Sequence, residues 1–314
     1  LLAPMATRIK TDLELDFGEF CMKNTSLLAG SVGTAVTTWD HVARAGAIMQ
    51  ASGVPMDSEL CYFANPFTQT KLASNQRSLG GETGAMSANQ KATISDNFAG
   101  MRVMTASTLP SYTTGAGADR AGTLSGTPTA TYLAAKDTMT MSIAVTAFQA
   151  NLVVAAGETI TVTGRNRLNL STRKPIVDET GAQILFSGTV TAAVTLNGSG
   201  AGTLVITGPG VYEVGGAFNT VDSALTSGDV VTLGGAASTL IQPNLFWHKQ
   251  AFGIGSVPIK KLYSTDTIAT TEDGLQFRVS KYANGDANKQ IVRFDFRPAY
   301  AVLNPFFAGK SFGG

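Results

Sequence analysis

The side chains best suited to chemistry are scarce in this sequence: two histidines, His41 and His248, and two cysteines, Cys21 and Cys61. His41 stands beside Asp40, and His248 follows Trp247. A hydrolytic triad needs a nucleophile, a base and an orienting acid converging on one pocket. Two histidines scattered among many Ser and Asp residues define no such set, and no G-x-S-x-G elbow is present. Both histidines read as packing or solvated side chains. No Cys or His pair has ligand spacing for a metal. Asp12, Glu14 and Asp16 superficially resemble an acidic ion loop, but they fall in a helical pattern that lacks the loop's glycine. Gly115-Ala116-Gly117 lacks the third glycine of a dinucleotide fingerprint, because Arg120 holds that place. No phosphate-binding G-x-x-x-x-G-K occurs. The sequence therefore predicts no catalytic residue, no metal and no cofactor. Asn24, Asn169 and Asn197 open glycosylation sequons of the kind that arise by chance in Ser/Thr-rich chains.

One charged cluster stands out: Arg165, Arg167, Arg173 and Lys174. Its plainest reading is a solvated or ion-paired face. The sharper one is a contact with acidic residues of a neighbouring subunit, where such pairs fix register more than they add affinity.

The composition points to assembly. The 314 residues carry a net charge of +1, with 44% hydrophobic and only 14% charged residues. Soluble globular proteins have about 25% charged residues. No stretch reaches the run of about 18 consecutive apolar residues of a membrane-spanning helix. The charge-poor chain reads as one that covers much of its surface with partners. Near-zero net charge argues against a sequence-specific DNA reader. Cys21 and Cys61 read as buried free thiols in a reducing compartment. Leu1-Leu2-Ala3-Pro4-Met5 has no signal-peptide pattern, and the missing initiator Met predicts residues upstream.

The elements follow from periodicity. Leu2, Met5, Ile9, Leu13, Phe17, Phe20 and Cys21 recur at three- and four-residue steps. They predict an amphipathic helix stopping near Gly30, about 25 residues or about 38 Å long. Thr38 reads as the N-cap of a second helix with Trp39, Val42, Ala45, Ile48 and Met49 on its apolar face; Gly53 and Pro55 end it. Leu60–Phe63 reads as a short buried strand, and Asn65-Pro66 opens a third helix through about Gln76. A Gly-rich loop over 79–84 and a strand at Met101–Met104 follow.

From about Gly115 to Gly235 charge thins and Thr, Val, Ala and Gly dominate. Strands are predicted at 159–163, 192–196, 204–207 and 230–233, with turns at Asn197-Gly198, Gly208-Pro209 and Gly215-Gly216. That pattern predicts a small all-β barrel or sandwich. After Pro243, residues 276–282 and 290–297 alternate around the turn 283–289, predicting a long antiparallel hairpin. The fold class read from the residues is α+β, interrupted by an all-β insertion.

In this order the local sequences resemble the major coat proteins of short-tailed double-stranded DNA phages of the P-twenty-two type. The matches begin with Leu2-Ala3-Pro4 through Thr11-Asp12-Leu13-Glu14, Trp39-Asp40-His41-Val42 and Tyr62-Phe63-Ala64-Asn65-Pro66. Asn97-Phe98-Ala99-Gly100-Met101-Arg102 precedes the β insertion. Pro243 through Lys249, Val257-Pro258-Ile259 and Arg293 through Tyr300 follow it.

The resemblance implies an HK-ninety-seven-like capsid fold with an inserted β-barrel. The implied divisions are residues 1–30 for the end of a spine helix (whose helical part spans 2–29), and 31–117 for the first part of an axial domain. Residues 118–238 would form the inserted barrel, and 239–314 the second axial and peripheral part with the long hairpin. The family's N-terminal arm, extended loop and spine-helix start would precede Leu1. The implied function is structural and non-enzymatic: self-assembly through pentamers and hexamers into an icosahedral head. The implied partners are a scaffolding protein, a portal protein and packaged DNA held without sequence specificity, with no membrane. Assembly would occur in the host cytoplasm, and the product is the virion.

Two rival functions leave different marks. A carbohydrate-binding or adhesion protein of a phage tail or cell surface would expose aromatics in the insertion. Its candidates, Tyr132, Phe148, Phe186, Tyr212 and Phe218, are sparse. A hydrolase would need the missing motifs.

Overall fold

The computed structural model describes residues 2–55, 60–78, 94, 97–271 and 274–314. The expected glycine-rich loop at 79–84 lies outside them. The chain divides into two compact units, Leu1–Phe17 with Phe252–Leu303, and Gly18–Ala251 with Asn304–Gly314. The protein is mixed α/β, mostly strands with few helices.

The first helix, Leu2–Lys23, is shorter than the expected 2–29. Its end is set by side chains that compete for the backbone. Asn24 Nδ2 donates to Phe20 O at 2.8 Å, and Thr25 Oγ1 donates to Met22 O at 3.3 Å. Ser26 N then bonds Ala308 O at 3.1 Å, and Leu27–Ala29 leaves the helix to become a strand.

In the larger unit, six strands form a sheet in the order Leu27–Ala29, Ala308–Ser311, Asn244–His248, Leu60–Ala64, Met101–Thr105, Asn97–Phe98. The first pair and the Leu60–Ala64/Met101–Thr105 pair are parallel, and the others are antiparallel. Leu60, Tyr62 and Ala64 alternate inward as a strand requires. The second helix, Trp39–Ala51, lays Val42, Ala45 and Met49 into the core that contains them. Trp39 departs from its expected place on that face: it is 40% exposed, because the first turn lies beyond the edge of the packed stripe. Thr38 holds the extended N-cap backbone without a side-chain bond. Gly53, at φ 88°, turns the chain out of the helix as a C-terminal glycine does. The third helix, Pro66–Ser78, starts as expected, with Asn65 Oδ1 accepting from Phe67 N at 2.8 Å.

The same unit holds a closed, wholly antiparallel barrel. Its order is Leu185–Val190, Gly202–Thr207, Thr140–Thr146, Ala121–Leu124, Val230–Leu233, Thr159–Asn166, and back to the first. Closure leaves no unpaired edge, which removes the aggregation hazard of an open sheet. Ile143, Ile160, Val162, Phe186, Leu204 and Ile206 fill the interior, each at most 1% exposed. The strand expected over 192–196 shrinks to Val194–Thr195, which pairs with Val153–Val154 outside the barrel. Two hairpin loops share one device. Asp178 Oδ1 accepts from Thr180 N, Thr180 Oγ1 and Ala182 N, and Asn197 Oδ1 accepts from Ser199 N, Ser199 Oγ and Ala201 N, all within 2.7–2.9 Å. Just outside the first and last barrel strands, Tyr112–Thr113 pairs with Leu240–Ile241.

In the smaller unit, Gln276–Asn284 and Lys289–Phe296 form the expected hairpin, in register from Phe277↔Phe296 to Asn284↔Lys289. Thr267–Thr270 adds a third strand, and Phe252–Ser256 pairs separately with Pro298–Val302. Arg278 reaches Asp295 across the hairpin, and Arg293 reaches it along the same strand. Phe17 packs on Tyr300 at 5.3 Å, and the Tyr300 hydroxyl donates to Asp16 at 2.9 Å. No described helix is long and apolar enough to cross a membrane.

Candidate functional site

The histidines occupy structural positions. His248 is 1% exposed on its strand, receives Gln250 N at 3.2 Å, and meets Phe307 edge-on at 5.7 Å. His41 Nδ1 receives Thr37 N at 3.1 Å beside the start of its helix. Among the described residues, no group of three or more His, Cys, Asp or Glu is placed to hold a metal. Cys21 is buried and Cys61 half-buried, and both are free thiols. Asp12, Glu14 and Asp16 lie on the exposed side of the first helix, with Asp12 and Glu14 paired one turn back to Arg8 and Lys10.

The four basic residues do not form one surface cluster. Arg165 grips Asp229 with two bonds of 2.7 and 2.6 Å, and adds Ser223 Oγ and Thr226 Oγ1. Arg167 turns inward and is 3% exposed. Its Nη2 donates to Ser26 O and Ser187 O, both at 2.8 Å, between the rings of Phe186 and Phe306. Burial without a carboxylate lowers its pKa to about 10. Arg173, in the left-handed region at φ 55°, donates to Asn219 O at 2.7 Å and is half-buried. Lys174 alone of the four is exposed. The expectation of a shared basic face is corrected accordingly. Strand alternation breaks at the bulge between Leu185 and Phe186, opposite residues 162–166, which turns Arg167 into the interior.

A second buried group left almost no signal in the sequence. Glu158 is fully buried and accepts from Gly115 N at 3.1 Å, Ala155 N at 3.0 Å and the Arg120 guanidinium. The fully buried Lys310 lies close by on the central sheet. Charged residues this deep are rare unless paired. A lone Lys in the small-residue run Ala308-Gly309-Lys310-Ser311 was the only available hint.

The outer surface carries exposed apolar side chains. On the barrel, Phe148 and Phe186 are buried, whereas Phe218 is 50% exposed and stacks on Tyr132 at 4.2 Å. Leu133 and Val214 stand out at 75% and 93% exposure. In the smaller unit Leu262, Tyr263 and Leu303 are more than half exposed. Exposed apolar side chains of this kind are available for contact with other chains. Two described clefts, of ≈ 430 and ≈ 440 Å³, are open, and Asp40, His41, Arg44 and Glu179 line the second.

The whole chain, residues 1–314, matches the family model described as "P22 coat protein - gene protein 5". A "Major capsid protein" of Acyrthosiphon pisum secondary endosymbiont phage 1 is 33% identical over 317 residues, covering 100% of this chain and 74% of that relative. A family match over every residue, joined to a relative of this identity and coverage, establishes that the chain belongs to the P22 coat protein family and serves a structural role in the phage capsid.

Proposed function

We propose that the chain self-assembles through pentamers and hexamers into the icosahedral head of a short-tailed phage, and that it catalyses no reaction. In this reading the fold is HK-ninety-seven-like. Residues 1–30 end a spine helix, and 31–117 and 239–314 make the axial and peripheral parts. Residues 118–238 are an inserted barrel domain. Assembly proceeds in the host cytoplasm with a scaffolding and a portal protein, and the finished shell holds double-stranded DNA without reading its sequence.

The observation that carries the proposal is the family match along the entire chain. The apolar residues exposed on each unit support it as contact surface, and closed symmetry would repeat such modest contacts many times. Arg165 and Arg167 are engaged within the chain. Lys174, and Arg173 in part, remain as the members of the basic group available to a neighbouring subunit. Electron microscopy of the expressed protein, with and without a scaffolding partner, tests the proposal. Closed shells or capsid-like tubes are the expected outcome. A protein that stays monomeric under both conditions overturns it.

A further inference from the structure

Lys310 lies on the strand Ala308–Ser311, between Leu27–Ala29 and Asn244–His248. Its side chain leaves the sheet and enters the barrel's polar rim. Nζ donates to Gly157 O at 2.5 Å and to Thr189 Oγ1 at 3.3 Å, above the Tyr112 ring at 5.6 Å. Thr189 Oγ1 also meets Thr25 Oγ1, at 3.2 Å, from the turn after the first helix. Arg167 makes the reverse crossing, from the barrel to Ser26 O beside the sheet. Two buried basic side chains thus tie the same two substructures, one reaching from each.

Their charge balance is unequal to their number. The titratable groups facing Lys310 are Glu158, Arg120 and Tyr112. Glu158 offers the cluster's carboxylate, and both its oxygens are already engaged: one by two backbone amides, the other by Arg120. A protonated Lys310 therefore adds a buried positive charge with no carboxylate of its own, which is costly. A neutral amine still donates two hydrogen bonds, matching the two acceptors it meets.

We propose that Lys310 is a pH-responsive joint between the six-stranded sheet and the barrel, closed when its amine is neutral and loosened when acidification charges it. Burial depresses its pKa from 10.5 to about 7, opposed by the charge of Glu158. As pH falls, the unfolded chain takes up this proton first. The contribution of the group to stability is therefore full above 10.5, is lost as pH falls toward about 7, and is flat below that.

Urea unfolding of the full chain at pH 6 and pH 9 tests the joint, because the carboxylates stay ionised across that window. The two pH units between 9 and 7 correspond to about a 100-fold change in the folded-to-unfolded ratio. The wild-type midpoint is expected to rise from pH 6 to pH 9. Lys310→Met should lose most of that rise by staying stable at both pH values. Lys310→Arg should lose it by being weak at both. A rise of wild-type size in Lys310→Met overturns the proposal. Should the variants not fold, the wild-type chain labelled at lysine Cε decides by NMR titration. One lysine titrating near neutrality supports the joint, and every lysine titrating near about 10.4 overturns it.

Discussion

Replacing Glu158 with Gln changes one charge and almost no volume, at the most enclosed ion pair of the described residues. Glu158 and Arg120 are 0% and 7% exposed. The substituted amide keeps an acceptor for Gly115 N and Ala155 N but turns a neutral group, or a donor, toward the guanidinium. Arg120 is left as a buried cation whose remaining protein acceptor is Gly115 O at 3.3 Å. Stranding one partner of a buried pair costs about 3–5 kcal/mol. Whole-domain stability is only about 5–15 kcal/mol. The exposed pair Arg8–Asp12, at 79% and 53%, is the internal control, and Asp12→Asn should cost at most about 0.5 kcal/mol. Urea unfolding at pH 7 followed by circular dichroism measures both. The loss in Glu158→Gln should persist at high salt, whereas any loss in Asp12→Asn is screened away. The double variant Arg120→Met/Glu158→Gln should recover most of the loss by removing the stranded charge while keeping an acceptor for Gly115 N and Ala155 N. A Glu158→Gln cost below about 1 kcal/mol, or no recovery in the double variant, would refute the stranded-charge argument.

Three further outcomes are expected. Burial pushes the Asp229 carboxyl up, but the hydrogen bonds from Arg165 and Thr226 N outweigh it and hold the group below its ordinary range. Its stabilisation is thus present above the unfolded value of about 3.9 and lost as pH falls through the lower folded one. Acid titration by circular dichroism should show a shallower loss there in Asp229→Asn than in wild type. A Cβ on Gly309 would meet the Phe246 ring, Leu27 Cβ at 2.7 Å and Leu27 O at 2.8 Å. Gly309→Val should therefore cost about 1–3 kcal/mol or more in thermal melts, while Gly255→Ala, with nothing within 4 Å, should cost far less. Cys21 is fully buried, and that burial raises its thiol pKa. It should resist an aromatic disulfide reagent until urea unfolds the chain, and fast labelling of native Cys21 would contradict its placement.

What the residues announced and what they hid divide along physical lines. The 276–296 hairpin was legible because both strands alternate and a Gly/Asn turn separates them. Asn65-Pro66 was legible because cap chemistry is local. The barrel strands over 159–166, 202–207 and 230–233 carry dense β-branched runs, and the expected segments fall within them. Leu185–Val190 was missed: it is buried at five successive positions and includes Ser187, Gly188 and Thr189, so period-two patterning and hydrophobicity are both absent. Ala121–Leu124 is short and contains Gly122. Thr140–Thr146 does alternate, with Met141, Ile143 and Val145 inward, and its threonine-rich surroundings masked it. The first helix was read too long because Leu27–Ala29 continues its apolar character, and only the distant strand Ala308–Ser311 makes those residues extended. Arg167, Glu158 and Lys310 show the same limit at the level of sites. Their partners come from residues far away along the chain, and no local pattern encodes them.

The barrel's first and last strands, Ala121–Leu124 and Val230–Leu233, are neighbours, and Tyr112–Thr113 zips to Leu240–Ile241 beside them. The consequence is kinetic. Before the barrel closes, the surrounding sheet must join Leu60–Ala64 to Asn244–His248 across a very long loop. Once it closes, the two chain ends emerge side by side, and the effective loop shrinks to the stretches outside the barrel, residues 65–120 and 234–243. Loop-closure entropy then opposes the outer sheet less, by about 1 kcal/mol. Folding in that order lowers the effective sequence separation of the outer sheet's contacts once the barrel is in place.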